Sequence, residues 1–190
     1  MSHLFSDYEK EFHEAIERTD SWGLCAPYFR MSDKRYTDES TPQKLTECLQ
    51  NFFEGRDIRQ ISQKCFAVNF FMQRQVEKLL GTSLTYTLGY VEHNQHKVFY
   101  TPEEQLRERF SAPPSLRSVD LHAWLTSPSY EIIDLTFSTT YGVVFDAPEC
   151  IGLVAAQHYS LFNEALIHHP QIVGKDFLDA IGVLLRLDEG

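Results

Sequence analysis

Most of the short motifs that announce a chemistry are missing from this sequence. There is no G-x-x-x-x-G-K-[ST] and no G-x-G-x-x-G, so the glycine-rich loops that cradle nucleotide phosphates are absent. There is no G-x-S-x-G elbow, which removes the usual serine-hydrolase signature. Cysteine is sparse: Cys25, Cys48, Cys65 and Cys150 lie far apart with no C-x-x-C among them. That spacing argues against a zinc ribbon or a disulfide framework and leaves reduced thiols as the expectation. No run approaches the ~18 consecutive apolar residues of a membrane-spanning helix. The first twenty residues, MSHLFSDYEKEFHEAIERTD, contain no apolar signal-peptide core. A cytoplasmic protein, or one exported by a route that leaves no ordinary signal, is the expectation. Positive charge is also short, with 17 Lys and Arg against 27 Asp and Glu, a formal net charge of -10. Such a field argues against non-specific binding to nucleic acid or to anionic membranes. It leaves room for a local basic patch and for basic protein partners.

What remains is an ordinary globular composition, 43% hydrophobic and 23% charged over 190 residues. That length suits one domain, residues 1–190, with a real core. Ser6 stands three residues before Glu9, a capping box that predicts a helix from about Asp7. Thr41, Pro42 and Gly55 read as N-cap, first helical residue and C-terminal stop of a second helix. SQKCFAVNFFMQRQVEKLLG, residues 62–81, is the strongest helix, ending at Gly81 with Cys65 within its first turn. SLTYTLGYV and HKVFYT read as strands. TPEEQLRERF reads as a short helix opened by a second capping box, Thr101 with Glu104. FSTTYGVVFDAPE is expected to be strand or loop, and the chain from Ile151 onward to be mostly helical. Helices around a central antiparallel sheet make the expected class α+β.

The stretch with most chemistry is SVDLHAWLTSPSYEIIDLTF, residues 118–137. Two strand-like runs flank a Ser-Pro-Ser turn, one carrying His122 and the other Asp134. Residues two apart on a strand share a face, so His122 sides with Trp124 and Asp134 with Ile132. An odd-length connection puts His122 and Asp134 on the same face, and a four-residue loop puts them on opposite faces. A loop of Ser127 to Ser129 would set His122 directly opposite Asp134. There a carboxylate can hold an imidazole N–H and support its positive charge.

Cys65 is the candidate that completes such a set. A helix N-terminus offers partial positive charge and unpaired N–H groups, both of which favour a thiolate. Those amides, or the upstream ones of Gln60 and Gln63, are candidates for holding the oxyanion of a tetrahedral intermediate. Cys48 in its amphipathic helix and Cys150 read as small buried hydrophobes. Cys25 in WGLCAPYF is not followed by a helix start. His158 and the pair His168–His169 raise the question of a metal. With no H-E-x-x-H and no carboxylate at a suitable sequence offset, neither metal nor cofactor is expected.

KCFAVNFFMQRQVEKLLG, LTYTLGYV, DLHAWL and YEIIDLTF together resemble the transglutaminase-like superfamily of papain-like cysteine enzymes. Its pattern is a Cys opening a helix that ends near Leu-Gly, a Gly-Tyr-Val strand, a His-Ala-Trp strand, and a strand with an aspartate before a threonine. The resemblance covers roughly residues 60–137. Ser62, Gln63 and Lys64 stand where that family often has glycine, and Leu135 and Thr136 follow the aspartate. It implies a papain-like fold, a Cys65–His122–Asp134 triad with Trp124 as a site wall, and no cofactor. It implies a protein or peptide substrate and a reaction among peptidase, deamidase and transglutaminase types. The alternative is a non-catalytic protein-interaction domain that keeps the fold.

Overall fold

The computed structural model describes residues 8–54, 56–114, 118–163 and 165–187. The Ser6 cap and the Gly55 stop lie outside the described residues. In chain order the elements are α1 (Tyr8–Ser21), α2 (Thr41–Phe52), α3 (Cys65–Leu80), β1 (Thr85–His93), β2 (His96–Val98), α4 (Glu103–Ser111), β3 (His122–Thr126), β4 (Glu131–Asp134), α5 (Phe137–Val144), β5 (Ala155–His158), β6 (Leu166–Val173) and α6 (Asp176–Ile181). Short 3-10 turns cover Ile58–Ile61, Pro148–Cys150 and Tyr159–Leu161. The protein is α+β, with antiparallel strand pairs throughout.

The chain groups into two compact units, each assembled from three separate stretches. One takes in the described residues of 1–29, 87–122 and 159–184, the other those of 30–86, 123–158 and 185–190. Two of the boundaries cut through strands, β1 after Tyr86 and β3 after His122.

In the first unit, α1 buries Tyr8, Phe12, Ala15 and Thr19, one stripe at helical spacing. It is fastened to β6, where Thr19 Oγ1 accepts from the Val173 amide at 3.0 Å. Beside it, the Arg18 guanidinium donates to the Gln171 carbonyl at 2.7 Å. β1 pairs antiparallel with β2 and with β6. A bulge between Leu88 and Gly89 brings Gly89 opposite Pro170. A proline lacks the ladder donor, and a bulge is where a sheet tolerates one. Trp22 stacks on Phe110, with centroids 5.8 Å apart, and lies 6.1 Å from the ring of Phe177.

In the second unit β3, β4 and β5 form an antiparallel run. Its hairpin is fixed by a buried carboxylate. Glu131 accepts from the amides of Tyr36 and Thr37 and from the hydroxyls of Thr37, Ser127 and Ser129, at 2.6–3.1 Å. It thus ties the turn to a segment some 95 residues away. Burial works to raise the Glu131 carboxyl, yet those hydrogen bonds together hold it below its usual value.

Several sequence expectations need correcting. The regular structure from Ile151 onward is chiefly strand: β5 and β6 carry the histidines expected on helices, and Pro170 sits inside β6. Among the described residues α6 is the one α-helix there, and the chain leaves it at Gly182 in the left-handed region, φ 84°. FSTTYGVV is a helix, because Asp134 Oδ1 accepts from the amides of Thr136 and Phe137 at 3.1 and 3.0 Å and so satisfies the start of α5. Ser40, not Thr41, occupies the N-cap position of α2. The Thr101 hydroxyl donates to the Asp120 carbonyl at 2.8 Å instead of capping α4.

Candidate functional site

Cys65 is the first residue of α3, entered from the 3-10 turn at Ile58–Ile61 and from Gln63, whose φ is +62°. Gly81 closes the helix in the left-handed region, φ 67°, as expected of a glycine after the last turn. The helix buries Cys65, Val68, Asn69, Met72 and Val76, a face at i, i+3, i+4, i+7 and i+11. Asn69 is the exception on that apolar stripe. Its carboxamide Nδ2 donates to the Cys65 carbonyl and to the Ala123 carbonyl, both at 2.9 Å. One side chain therefore binds the first turn of α3 to β3 at the residue that follows His122.

Tyr86 adds a phenol to this region. Its hydroxyl donates to the Phe66 carbonyl at 2.9 Å. Burial first, and the neighbouring Cys65 second, push its ionisation well above the ordinary phenol value. Tyr86 is therefore a neutral hydroxyl within electrostatic reach of the sulfur.

The hairpin has the odd connection. Ser127 N donates to Glu131 O, and Tyr130 N donates to Ser127 O, each at 3.0 Å. Tyr130 has φ +57°. A turn followed by a left-handed residue is a common three-residue hairpin loop. The loop is Pro128 to Tyr130, one residue later than the Ser127 to Ser129 loop expected from the sequence. The observed pairs are Leu125 with Ile133 and Thr126 with Ile132. Continued along the strands, that register sets Trp124 opposite Asp134. His122 is then diagonal to Asp134 on the same face, not directly opposite it, and Trp124 does not face Ile132. Diagonal neighbours sit about 7–8 Å apart at Cβ, still within reach of long side chains.

His122, at the start of β3, is 1% exposed. The ring of Phe99 stacks on it with centroids 5.5 Å apart and planes 19° apart. A second buried imidazole, His168 on β6, lies 6.4 Å away, centroid to centroid. Phe162 meets His168 edge-on at 5.3 Å. Asp134 is also 1% exposed, with Oδ1 committed to the start of α5.

The amides named as oxyanion candidates are already donated. That of Gln60 goes to the Asp57 carbonyl at 2.9 Å, and that of Gln63 to Thr140 Oγ1 at 3.1 Å. This leaves the first-turn amides of α3, which lack partners within their own helix. Trp124 is fully buried. No disulfide forms among the described residues: Cys25 is exposed, Cys48 and Cys150 are half-buried, and Cys65 is buried, 7% exposed. Cys48 approaches Gln75 Oε1 at 3.6 Å, and burial pushes its thiol up.

Sequence reasoning missed Asn69, Tyr86 and His168. Asn69 left a trace, as the one polar residue at an apolar-stripe position, four after Cys65. His168 had been weighed only as a metal ligand. Its neighbour His169 does meet carboxylates, distant in sequence: Glu11 at 3.0 Å and Glu92 at 3.9 Å.

Comparison with known protein families, with curated proteins and with solved structures returns no match for this chain. Among the described residues no helix is long and apolar enough to cross a membrane.

Proposed function

We propose that the protein is a cysteine-dependent acyl-transfer enzyme of transglutaminase-like, papain-like type, with Cys65 as nucleophile, His122 as its base and Asp134 as the orienting carboxylate. The observation that carries this reading is the Asn69 carboxamide, which holds Cys65 O and Ala123 O together at 2.9 Å each. It draws the nucleophile's turn to the histidine's strand. The odd hairpin register adds support by giving His122 and Asp134 one face of that strand pair.

The chemistry follows from the residue types. His122 takes the thiol proton, and the Cys65 sulfur attacks the carbonyl carbon of a peptide or carboxamide. The first-turn amides of α3 hold the oxyanion. The imidazolium returns its proton to the leaving amine or ammonia, and the Cys65 thioester passes its acyl group to water or to a second amine. Asp134 Oδ2, whose partner oxygen is committed to α5, keeps the ring in the required tautomer. The substrate is a protein or peptide. Phe99, stacked on His122, keeps bulk water from the imidazole, which strengthens each charge interaction at the step.

A second reading, a protein-interaction domain, draws on the exposed apolar residues Val143, Val144, Phe145 and Leu153, which are 41–65% exposed. Thiol reactivity separates the two. With the exposed Cys25 replaced by serine, iodoacetamide should label Cys65 ahead of Cys48 and Cys150 below the ~8.5 of an ordinary thiol. His122→Ala should remove that lead. Equal labelling rates with and without His122 would rule the enzyme reading out.

A further inference from the structure

Phe99 stands in the left-handed backbone region, φ +59°, where a bulky side chain is strained and glycine is at ease. The nearby Asn94 and Gln95 share that sign. They form the two-residue loop between His93 and His96 of the β1–β2 hairpin, which calls for it. Phe99 lies past β2 and outside that loop. Such strain persists where the surroundings over-determine it, and here both flanks of Phe99 are fastened. Lys97 Nζ lies 4.1 Å from the centroid of the Tyr100 ring and 5.2 Å from that of Tyr90, within cation–π range. Tyr100 and Tyr90 meet edge to face at 4.7 Å. Tyr90 is itself backed by His169, stacked at 4.5 Å with planes 9° apart, and His169 meets Glu11 at 3.0 Å. Beyond Tyr100, the Thr101 hydroxyl donates to the Asp120 carbonyl at 2.8 Å, and the Thr101 carbonyl accepts from Gln171 Nε2 at 2.9 Å. Asp120 is two residues before His122.

We infer that Phe99 is a positioning residue for His122, and that Tyr90, Tyr100 and Lys97 form the clamp that keeps it in place. The inference rests on the reading of His122 as the base for Cys65. The Phe99 ring lies on the imidazole with centroids 5.5 Å and planes 19° apart. A flat ring against one face of an imidazole hinders its rotation, so the two nitrogens keep fixed bearings. The phenyl face offers no hydrogen bond of its own and leaves those nitrogens to the proton they carry. A base held in one orientation takes the thiol proton more often, and small misplacements at such a step are costly in rate. The strained backbone is the means: fastened on both flanks, it keeps the ring from turning away. Every residue of the clamp belongs to the first unit, as do Phe99 and His122. Tyr100 is 38% exposed and Lys97 is exposed, so the clamp can be altered without opening a core.

The test uses the full chain and two readouts. One is the rate of Cys65 labelling by iodoacetamide at fixed pH; the other is the NMR signals of the His122 ring protons, assigned with His122→Gln. Phe99→Leu keeps an apolar cover but loses the flat face, and should slow labelling about tenfold. Phe99→Tyr restores the face and should stay within about twofold of the parent. Phe99→Gly suits the left-handed backbone but lacks the ring, so it should be as slow as Phe99→Leu. Tyr100→Ala leaves Phe99 and His122 intact, yet should slow labelling severalfold. It should also move the His122 signals in the same direction as Phe99→Leu, as the ring current of Phe99 is lost. Labelling at the parent rate in Phe99→Leu, or equal slowing in Phe99→Leu and Phe99→Tyr, overturns the positioning role. His122 signals unmoved by Tyr100→Ala overturn the clamp. The two readings fail separately. Signals that follow Phe99 and Tyr100, in a protein with no preference for Cys65, keep the clamp and remove the enzyme. Preferential labelling indifferent to Phe99 removes the positioning role alone.

Discussion

The side-chain amide of Asn69 donates to the main-chain carbonyl of Ala123 at 2.9 Å while also holding the carbonyl of Cys65. Both donors of a fully buried carboxamide are therefore spent on joining a helix start to a strand. Asn69→Leu keeps the shape and deletes both bonds, so unfolding should move down by about 1–3 kcal/mol. Asn69→Asp should do worse, because a carboxylate facing two carbonyls has no donor to offer. Thermal melts check the stability, and Cys65 labelling checks positioning. A stable Asn69→Leu variant with unaltered labelling would reduce the residue to packing.

Cys65→Ala should abolish acyl transfer with the fold intact, since a small residue at a helix start is well tolerated. Cys48→Ala should leave activity in place. Because burial raises the Cys48 thiol, its thiolate is scarce at neutral pH and its labelling should lag in the parent protein. Activity lost equally in both variants would deny Cys65 its special role.

His168 sits 6.4 Å from His122, ring to ring, with both side chains buried. His168→Ala should remove support from beside the His122 ring and slow the labelling of Cys65 by iodoacetamide severalfold at fixed pH. A variant that loses only stability, its labelling rate unchanged, marks His168 as a packing residue.

Glu131 is ionised in the fold and held below its usual value by the hydrogen bonds that outweigh its burial. A depressed carboxylate contributes stability above its unfolded value, near 4.3, and the contribution is lost as pH falls through the lower folded value. Acid should therefore loosen the hairpin first. Glu131→Gln should cost about 2 kcal/mol at pH 7 and flatten the acid limb of a stability curve. An unchanged acid limb would place the sensitivity on other carboxylates.

The sequence made α3 and the hairpin legible because their signals are local. Gly81 ends α3 by its own backbone freedom, and the parity of the Asp134 register follows from a short turn. α5 was illegible because its β-branched and aromatic residues favour strand. What makes it a helix is a carboxylate outside it, Asp134, bound to its first amides. β6 was illegible for a related reason. LIHHPQIV becomes a strand by pairing with β1, nearly eighty positions earlier, and its proline is accommodated by a bulge at Gly89. The bridging role of Asn69 needed Ala123, 54 positions away. Such long-range partners leave no periodicity in either segment.

The seating of α1 on β6 has a consequence for how the chain is made. α1 fastens to Gln171 and Val173, which are synthesised more than 150 positions after it. Until that strand emerges, Tyr8, Phe12 and Ala15 lack the cover of β6, although Phe29 already meets the Phe12 ring at 4.9 Å. Synthesis at about 5–20 residues per second leaves that apolar stripe waiting for many seconds. Removing β6 should thus expose the apolar stripe of α1. A nascent chain halted short of Val173 is expected to be a client for chaperones through α1.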